Sequence, residues 1–301
     1  MPIRFENWTT ASAHQLGLGE VFTLFHGDVV DDRGKLAVES WDNCTRVRTH
    51  YDVDSLSITI GSAIANVDAV ADLLAPYANA RVVLEATTLG FAELFALVSG
   101  LVETGADRIE IVYVEPESYT RTHPGADQFA LSETTRGYQP IPRAIVDLSS
   151  DDLEAGVFFL GFEPERLDRA LEEHQMIAGK EVKVVLGIPA YRPGWELDSA
   201  IPHLPRLHEN SLEIEYCSAN DPEAAFDCLE RTRASLGEGK QMFVAPIGPK
   251  PCGIAAAVFV SVYPNQAGLL FDHPHRRSKR TGGALVWHRY CVSGVALRQI
   301  S

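Results

Sequence analysis

One stretch of the chain, residues 241–259, constrains the fold more than any other. Its first six residues are an apolar run typical of a buried strand, and residues 253–259 are small and apolar, as in a helix packed closely on a sheet. Gly248 and Pro249 sharpen the turn between them, and Lys250 lies at the predicted start of the helix. Because a helix N-terminus has unpaired N–H groups and a partial positive charge, this turn is suited to an anion.

The same alternation of apolar strand and helix continues along most of the chain. Strands are predicted at residues 81–86, 109–114, 157–161, 182–188, 212–216, 241–246 and 268–271. Helices are predicted at residues 62–78, 91–103, 165–174 and 221–236, and from residue 250. Strands that alternate with helices, and that are apolar nearly throughout, are typical of a parallel sheet covered on both faces. Ligands of such folds bind beyond the C-terminal ends of the strands.

The first 60 residues have a different pattern. Four strand-like segments are spaced along them, at residues 21–26, 35–41, 46–51 and 55–60. We therefore predict an α/β protein with a small antiparallel β module at residues 1–60. A Rossmann-like domain at residues 61–301 follows it, with a mostly parallel sheet and helices on both faces. Asp28, Asp31 and Asp32 could bind a metal, but their spacing matches no EF-hand loop, so a solvated turn is favoured and no metal site is predicted.

The composition narrows the class of protein. Hydrophobic residues make up 46% of the chain, which is enough for a full core, and the formal net charge is -15. An acidic chain of this kind is a poor general binder of nucleic acid or of anionic membranes, although a local basic site stays possible. The five cysteines include no CxxC pair. We find no signal peptide and no apolar run long enough to span a bilayer, and predict a cytoplasmic protein without a membrane partner.

The residues that follow predicted strands are the candidates for ligand binding. They are Thr87, Thr88, Gly90, Tyr191, Arg192, Gly248, Lys250, Arg276 and Arg277. Threonine hydroxyls can bind a ligand or only cap the next helix, and Lys250 could equally lie in solvent beside a proline-stiffened turn. Residues 275–280 form the one dense basic run of an acidic chain. This run could bind phosphate or a nucleotide, with nucleic acid less favoured, or could remain a solvated loop.

Four residues are candidates for acid–base catalysis: Glu115, Glu163, Asp272 and His273. Nothing in the sequence brings them together, and neither a GxSxG elbow nor an HExxH motif is present. A structural role for each therefore stays open. Residues 118–142 are polar and rich in turns, which predicts a long loop that could close over a substrate.

Two of these turns together resemble a known group of sensor domains. Residues 246–251, a strand end followed by a Gly/Lys turn and a small-residue helix, and the strand that ends in Thr87 and Thr88 resemble the Rossmann-like domains called CARF and SAVED. The resemblance covers about residues 80–275. Those domains occur in prokaryotic defence systems and recognise cyclic oligonucleotides. The resemblance implies a sensor or subunit of such a system that binds a nucleotide or another phosphorylated ligand.

Three classes of function remain open from the sequence. The first is a protein that binds such a ligand at the C-terminal edge of its sheet. The second is a hydrolase or transferase that acts on a nucleotide-like substrate. The third is an assembly subunit, in which residues 1–60 dock a protein partner or a second copy of the chain. The sequence does not identify a cofactor.

The location of the site can be stated more sharply than its chemistry. Right-handed crossovers bring the C-terminal ends of parallel strands to one edge of a sheet. The strand ends at Glu115, Gly161, Ile188 and Pro246 should then open on one edge of a single sheet. In that arrangement four distant residues would line a common crevice. They are Thr88, Glu115, Tyr191 and Lys250.

Overall fold

The computed structural model describes residues 3–19, 21–121, 129, 131–174, 180–210 and 212–295. The strands are β1 Arg4–Thr10, β2 Phe22–His26, β3 Cys44–Asp52, β4 Ser57–Ile60, β5 Ala63–Asn66, β6 Val82–Glu85, β7 Arg108–Val114, β8 Ser118–Tyr119, β9 Ser132–Thr135, β10 Leu153–Leu160, β11 Glu181–Gly187, β12 Glu213–Cys217, β13 Gln241–Pro246, β14 Ala267–Leu269, β15 Pro274–Arg276, β16 Thr281–Gly282 and β17 Trp287–Ser293. The α-helices are α1 Asp32–Glu39, α2 Val70–Leu74, α3 Phe91–Glu103, α4 Pro164–Glu173, α5 Trp195–Ala200, α6 Leu204–Glu209, α7 Pro222–Ser235 and α8 Lys250–Val262. Short 3-10 helices lie at Ala13–Leu16, Val67–Ala69, Ala75–Tyr77 and Ile201–His203.

The chain divides into two compact units. Unit 1 comprises residues 1–120 and 276–301, and unit 2 comprises residues 121–275. Each unit has a sheet of its own in the described part of the chain. Among the helices that the structure describes, none is both long enough and apolar enough to cross a membrane.

The described strands of unit 1 form an eight-stranded sheet in the order β1-β17-β7-β6-β2-β3-β4-β5. Its four central strands, β7, β6, β2 and β3, run parallel. At one side, β17 pairs antiparallel with β7, and β1 pairs antiparallel with β17. At the other side, β4 pairs antiparallel with both β3 and β5. The C-terminal ends of β2, β6 and β7 therefore lie at one edge of the sheet, which β17 enters with Trp287 paired to Val114.

Helix α1 connects two neighbouring parallel strands of unit 1. Its N-cap residue Asp31 accepts a hydrogen bond from the Gly34 N–H at 2.8 Å. On its inner face Ala37 packs with Leu24 and Val83 in a buried cluster. Parallel neighbours such as β2 and β3 need a crossover connection. For that reason the strand predicted at residues 35–41 is wrong.

The helix predicted at residues 62–78 is correct only in part. Residues Ala63–Asn66 form strand β5, and the apolar positions that follow lie in short helical turns around α2. In this segment Val67, Val70 and Leu74 are buried, so their spacing does mark a buried helical face. The first four residues pair with β4 instead, because a hairpin partner directly precedes them.

The sheet of unit 2 is parallel throughout its described strands. Its order is β12-β11-β10-β13-β14, so the strand order reverses between β10 and β13. One face of the strands packs with residues of α4 and α6 in a buried cluster that includes Phe158, Val184, Leu167 and Leu207. The alternate strand residues are buried as well, as expected for a parallel sheet covered on both faces. This arrangement is Rossmann-like.

The predicted α/β class with a mostly parallel sheet is confirmed, but the single sheet is not. The separate antiparallel module predicted at residues 1–60 is wrong, because β2 pairs in parallel with both β3 and β6. Glu115 follows β7 in unit 1, whereas Gly161, Ile188 and Pro246 mark the ends of β10, β11 and β13 in unit 2. The predicted boundary between residues 60 and 61 falls inside unit 1, where β2 pairs directly with β6. Apolar strands of both sheets have the same local pattern, so the pattern does not tell which strands become neighbours.

Candidate functional site

The turn after β6 already binds a carboxylate of the protein, that of Glu85. Glu85, the last residue of this strand, is fully buried, and its carboxylate accepts the N–H groups of Thr87 and Thr88 at 2.8 Å each. The Thr88 hydroxyl donates to the same carboxylate. The N–H groups that made this turn a candidate for phosphate binding are therefore used within the protein.

The two threonine hydroxyls join the ends of three strands. Thr87 Oγ1 accepts the Val114 N–H at 3.0 Å, and Thr88 Oγ1 accepts the Gly27 N–H at 3.0 Å. A Cβ atom on Gly27 would lie 2.3 Å from the Thr88 carbonyl oxygen, so the loops after β2 and β6 are in close backbone contact. These contacts brace the C-terminal edge of the unit 1 sheet.

The basic segment that precedes β17 is attached to this same edge. The Arg276 guanidinium donates to the Thr88 carbonyl oxygen. The Lys279 N–H donates to the Val30 carbonyl at 3.1 Å, and the Thr120 N–H donates to the Arg280 carbonyl at 2.9 Å. The segment is thus fastened to the loops that follow β2, β6 and β7.

Two arginines at this edge have a buried Nε without a hydrogen-bond acceptor among the described residues. Arg33, in the first turn of α1, is only 4% exposed, and its Nη1 donates to the Val114 carbonyl at 2.8 Å. Its Nε is buried and has no hydrogen-bond partner among the described residues. The Nε of Arg280, whose side chain is otherwise partly exposed, is in the same state. We call Arg33, Arg276 and Arg280 the arginine cluster.

The arginine cluster lacks a carboxylate partner. Within the described residues, none of its three guanidinium groups has a carboxylate oxygen within salt-bridge distance. Asp31 acts electrostatically on Arg33 and Arg280. Its carboxylate oxygens, however, accept the Gly34 N–H at 2.8 Å and the Thr281 hydroxyl at 2.5 Å. Burial, together with the positive charges of Arg33 and Arg276, lowers the pKa of Arg280 to about 10.

Glu115 is paired with a histidine beside this cluster. Its Oε1 lies 2.7 Å from Nε2 of His288, and each residue is only 2% exposed. The other ring nitrogen of His288 lies 3.2 Å from the Thr9 hydroxyl. Burial raises the pKa of Tyr119, which also interacts electrostatically with Arg33, Arg280 and Glu115. A buried carboxylate–imidazole pair of this kind can hold and transfer a proton.

The acidic candidates of unit 2 are engaged in other contacts. Asp272 is fully buried and accepts two hydrogen bonds from the Arg166 guanidinium, at 2.8 and 2.5 Å. Glu163 accepts the N–H and the hydroxyl of Ser132 at 2.8 and 3.0 Å. His273 Nε2 lies 3.2 Å from the Gln139 carbonyl. These contacts give Asp272 and Glu163 evident structural roles.

The loops after β10 and β13 are packed against each other where the strand order reverses. A Cβ atom on Gly248 would lie 2.6 Å from the Leu160 carbonyl oxygen, so Gly248 is needed for this backbone contact. Lys250 is the first residue of α8 and is partly buried. Tyr191 and Arg192 follow β11, with the Arg192 guanidinium 5.9 Å from the Trp195 ring centroid.

The predicted site residues therefore fall into two groups. Those in unit 1 are Thr87, Thr88, Gly90, Glu115, Arg276 and Arg277, and those in unit 2 are Glu163, Tyr191, Arg192, Gly248, Lys250, Asp272 and His273. Gly90 is the N-cap residue of α3, and Arg277 is partly exposed. The prediction that Thr88, Glu115, Tyr191 and Lys250 line the edge of one sheet is wrong, because two sheets supply these residues.

Sequence reasoning missed Arg33 and did not single out Arg280 within the basic run. One signal for helix α1 was present in the sequence, because Asp31 is a residue type that caps helix N-termini. A helix starting there would have placed Arg33 in its first turn. Part of the predicted loop at 118–142, residues 122–128 and 130, lies outside the described residues. Across the described ranges, no three His, Cys, Asp or Glu side chains are placed to hold a metal ion.

Comparisons with known proteins add little. No protein-family model matches the chain, and no curated protein matches it. A crystal structure of a ketoreductase domain from the bacillaene assembly line aligns at 13% identity with a TM-score of 0.22. The alignment covers 81% of this chain and 62% of that chain, so it spans less than two thirds of the ketoreductase domain. A likeness this weak carries no argument about function.

Proposed function

We propose that unit 1 binds a nucleotide or another phosphorylated ligand at the arginine cluster. The observation that carries this proposal is the pair of buried Nε donors, on Arg33 and Arg280, in a cluster that has no carboxylate partner among the residues the structure describes. Guanidinium groups bind phosphate oxygens through paired, charge-assisted hydrogen bonds. A bound phosphate would supply both the missing acceptors and the missing negative charge.

The way the cluster is held supports the same proposal. Burying a charged group without a counter-charge is unfavourable, and Arg33, the buried member of the cluster, is only 4% exposed. Carbonyl oxygens of Val114 and Thr88 fix the guanidinium groups of Arg33 and Arg276. Because these side chains are already ordered, a ligand would lose little affinity to ordering them.

The resemblance to CARF and SAVED domains supports a more specific version of this proposal. In that version the ligand is a cyclic oligonucleotide and the protein is a sensor or subunit of a prokaryotic defence system. This version depends on the sequence pattern at residues 246–251 and at Thr87 and Thr88. A ligand panel should therefore include cyclic as well as linear nucleotides.

Calorimetric titration of the full chain tests the proposed binding. The panel is AMP, ADP, ATP, cyclic di-AMP and cyclic tri-adenylate. We expect at least one of them to bind, and Arg280→Met to weaken that binding at least about tenfold, because it removes charge-assisted hydrogen bonds. Lys35→Met, which removes an exposed charge from the same helix as Arg33, is the matched control. Absence of binding across the panel, or equal binding by Arg280→Met, would contradict the proposal.

The Glu115–His288 pair favours a second candidate, a hydrolase or transferase that acts on a nucleotide-like substrate. Glu115 adjoins Tyr119, which interacts electrostatically with Arg33 and Arg280, so acid–base groups lie near the proposed phosphate site. Turnover of the same panel, with and without divalent metal, separates the two candidates. Conversion that is lost in Glu115→Gln supports the enzyme, whereas a ligand that binds and is never converted counts against it.

A further inference from the structure

The charges around the arginine cluster do not balance. Arg33, Arg276 and Arg280 provide three positive charges, and Asp31 is the carboxylate that acts on both Arg33 and Arg280. Its two oxygens are held by Gly34 and Thr281. Three cations against one anion leave a formal excess of two positive charges.

The other acidic groups at this edge are held by other partners, Glu85 by the N–H groups of Thr87 and Thr88. Asp28 interacts electrostatically with Arg276, but its carboxylate lies 2.6 Å from Arg48 and 3.4 Å from His50. Glu115 is hydrogen-bonded to His288. The phenol of Tyr119 stays neutral, because burial raises its pKa. Within the described residues, none of these carboxylates lies within salt-bridge distance of a guanidinium group of the cluster, so a bound anion would make the first such contact.

We infer that the arginine cluster is a site for a doubly charged phosphate, that is, the terminal phosphate of a monoester, and discriminates against singly charged phosphodiesters. This inference rests on the proposed function, since it specifies the class of ligand for the same site. Nucleoside monophosphates, and the terminal phosphates of longer nucleotides, belong to the favoured class. Ligands with only internal diesters, such as cyclic oligonucleotides, do not, so this inference and the cyclic-oligonucleotide version of the proposed function exclude each other.

The number of hydrogen-bond donors agrees with the charge. A terminal phosphate presents three unbridged oxygens, whereas a diester presents two. The site offers three separate guanidinium groups, of which Arg33 and Arg280 each have a buried Nε–H without an acceptor. The number of unbridged oxygens of a terminal phosphate then equals the number of guanidinium groups. A diester would leave one guanidinium group without a phosphate oxygen.

The inference predicts a specific dependence on pH. The second pKa of a phosphate monoester is about 6, so its dianion is replaced by a monoanion below that value. Binding of a monoester should weaken as the pH falls below about 6. Sulfate keeps its two charges over this range, and its binding should stay constant as long as the protein is folded.

The test compares phenyl phosphate with methyl phenyl phosphate by calorimetric titration of the full chain. The two probes share the ring and differ in one negative charge. At about pH 7.5 we expect the monoester to bind at least about tenfold more tightly, because a hydrogen bond between charged groups is worth that much. At about pH 5 this advantage should disappear, while sulfate still binds. Circular dichroism at both pH values confirms that the protein is folded.

Variants distinguish failure of this inference from failure of the proposed function. Arg280→Met should weaken phenyl phosphate and sulfate together, and Lys35→Met should weaken neither. If monoester and diester bind equally and Arg280→Met weakens both, the inference is overturned and the proposed function stands. If no probe binds, or Arg280→Met binds as well as the wild type, both are overturned.

Discussion

The two units contain buried arginines in opposite situations. In unit 2, Arg166 donates twice to Asp272 and once, at 3.0 Å, to the Ile247 carbonyl. Burial acts to lower the pKa of Arg166, but Asp272 outweighs burial and the pKa is raised. In unit 1, burial and two neighbouring cations lower the pKa of Arg280 to about 10. The cation with its own carboxylate stabilises the fold of unit 2, whereas the cation without one belongs to the cluster that we propose as the ligand site of unit 1.

The largest effect should come from breaking the Arg166–Asp272 pair. Asp272→Asn removes the negative charge and leaves a buried guanidinium without a counter-charge. We expect the unfolding free energy of unit 2 to fall by about 3–5 kcal/mol, as for other buried pairs that lose one partner. Urea denaturation measures it. Asp168→Asn is the control, because Asp168 and its partner Arg206 are 31% and 40% exposed. A loss no larger than the control's would remove the contrast between the units.

Close backbone contact is common to both sheet edges, and two glycine substitutions test it. The Cβ atom of Gly248→Ala would meet the Leu160 carbonyl at 2.6 Å, and that of Gly27→Ala would meet the Thr88 carbonyl at 2.3 Å. Each substitution forces two loops apart, which should reduce the unfolding free energy by about 1–3 kcal/mol. Thermal and urea unfolding of both variants provide the measurement. Unchanged stability would mean that the loops separate freely.

Arg280→Met should stabilise the protein, whereas a substitution that breaks the Arg166–Asp272 pair should destabilise it. Methionine keeps an apolar stem and removes a buried charge that has no carboxylate. In buffer free of phosphate and sulfate we expect the unfolding free energy to rise by about 1 kcal/mol. The same urea experiment measures this change. A clear destabilisation would show that Arg280 is structural, as Arg166 is.

His203 is a buried histidine of unit 2, and burial disfavours its protonated form. It is 1% exposed, its Nε2 lies 2.9 Å from the Gly161 carbonyl, and burial lowers its pKa below 6.5. Below about pH 6.5 the unfolded chain binds a proton that the folded protein resists, so stability falls as the pH falls. His203→Gln should reduce this loss by less than about 1 kcal/mol between pH 6.5 and 5. Identical acid sensitivity of variant and wild type would contradict it.

The smallest effect should come from an arginine that is paired but exposed. Arg48 lies 2.6 Å from Asp28, and their side chains are 64% and 38% exposed. Solvent screens such a pair, so Arg48→Gln should change the unfolding free energy by less than about 1 kcal/mol. Urea denaturation in low and high salt is the measurement. A larger loss would show that the pair braces the loop after β2.

Local elements were well predicted where the pattern was long. The helix at 91–103 is observed with the same bounds as α3, and most predicted strands differ from those observed by only a few residues at either end. The site was predicted less well. The basic run at 275–280 and the turn at Thr88 do meet, through Arg276, but Arg33 joins them from a helix that was predicted as a strand. Asp272 was nominated for its charge, and no sequence signal indicates that Arg166 neutralises it.

By itself, the sequence determined the α/β class, because hydrophobic periodicity and turn residues act over a few neighbouring positions. Only the tertiary structure decided which strands share a sheet, since the buried strands β6 and β7 of one sheet and β10 and β13 of the other have similar apolar patterns. It also decided which charged groups are neutralised. Arg166 forms an ion pair with Asp272, whereas Arg280 pairs with no carboxylate of the described residues. No sequence pattern distinguishes these two arginines. That difference arises from contacts between residues distant in the chain, which no local pattern encodes.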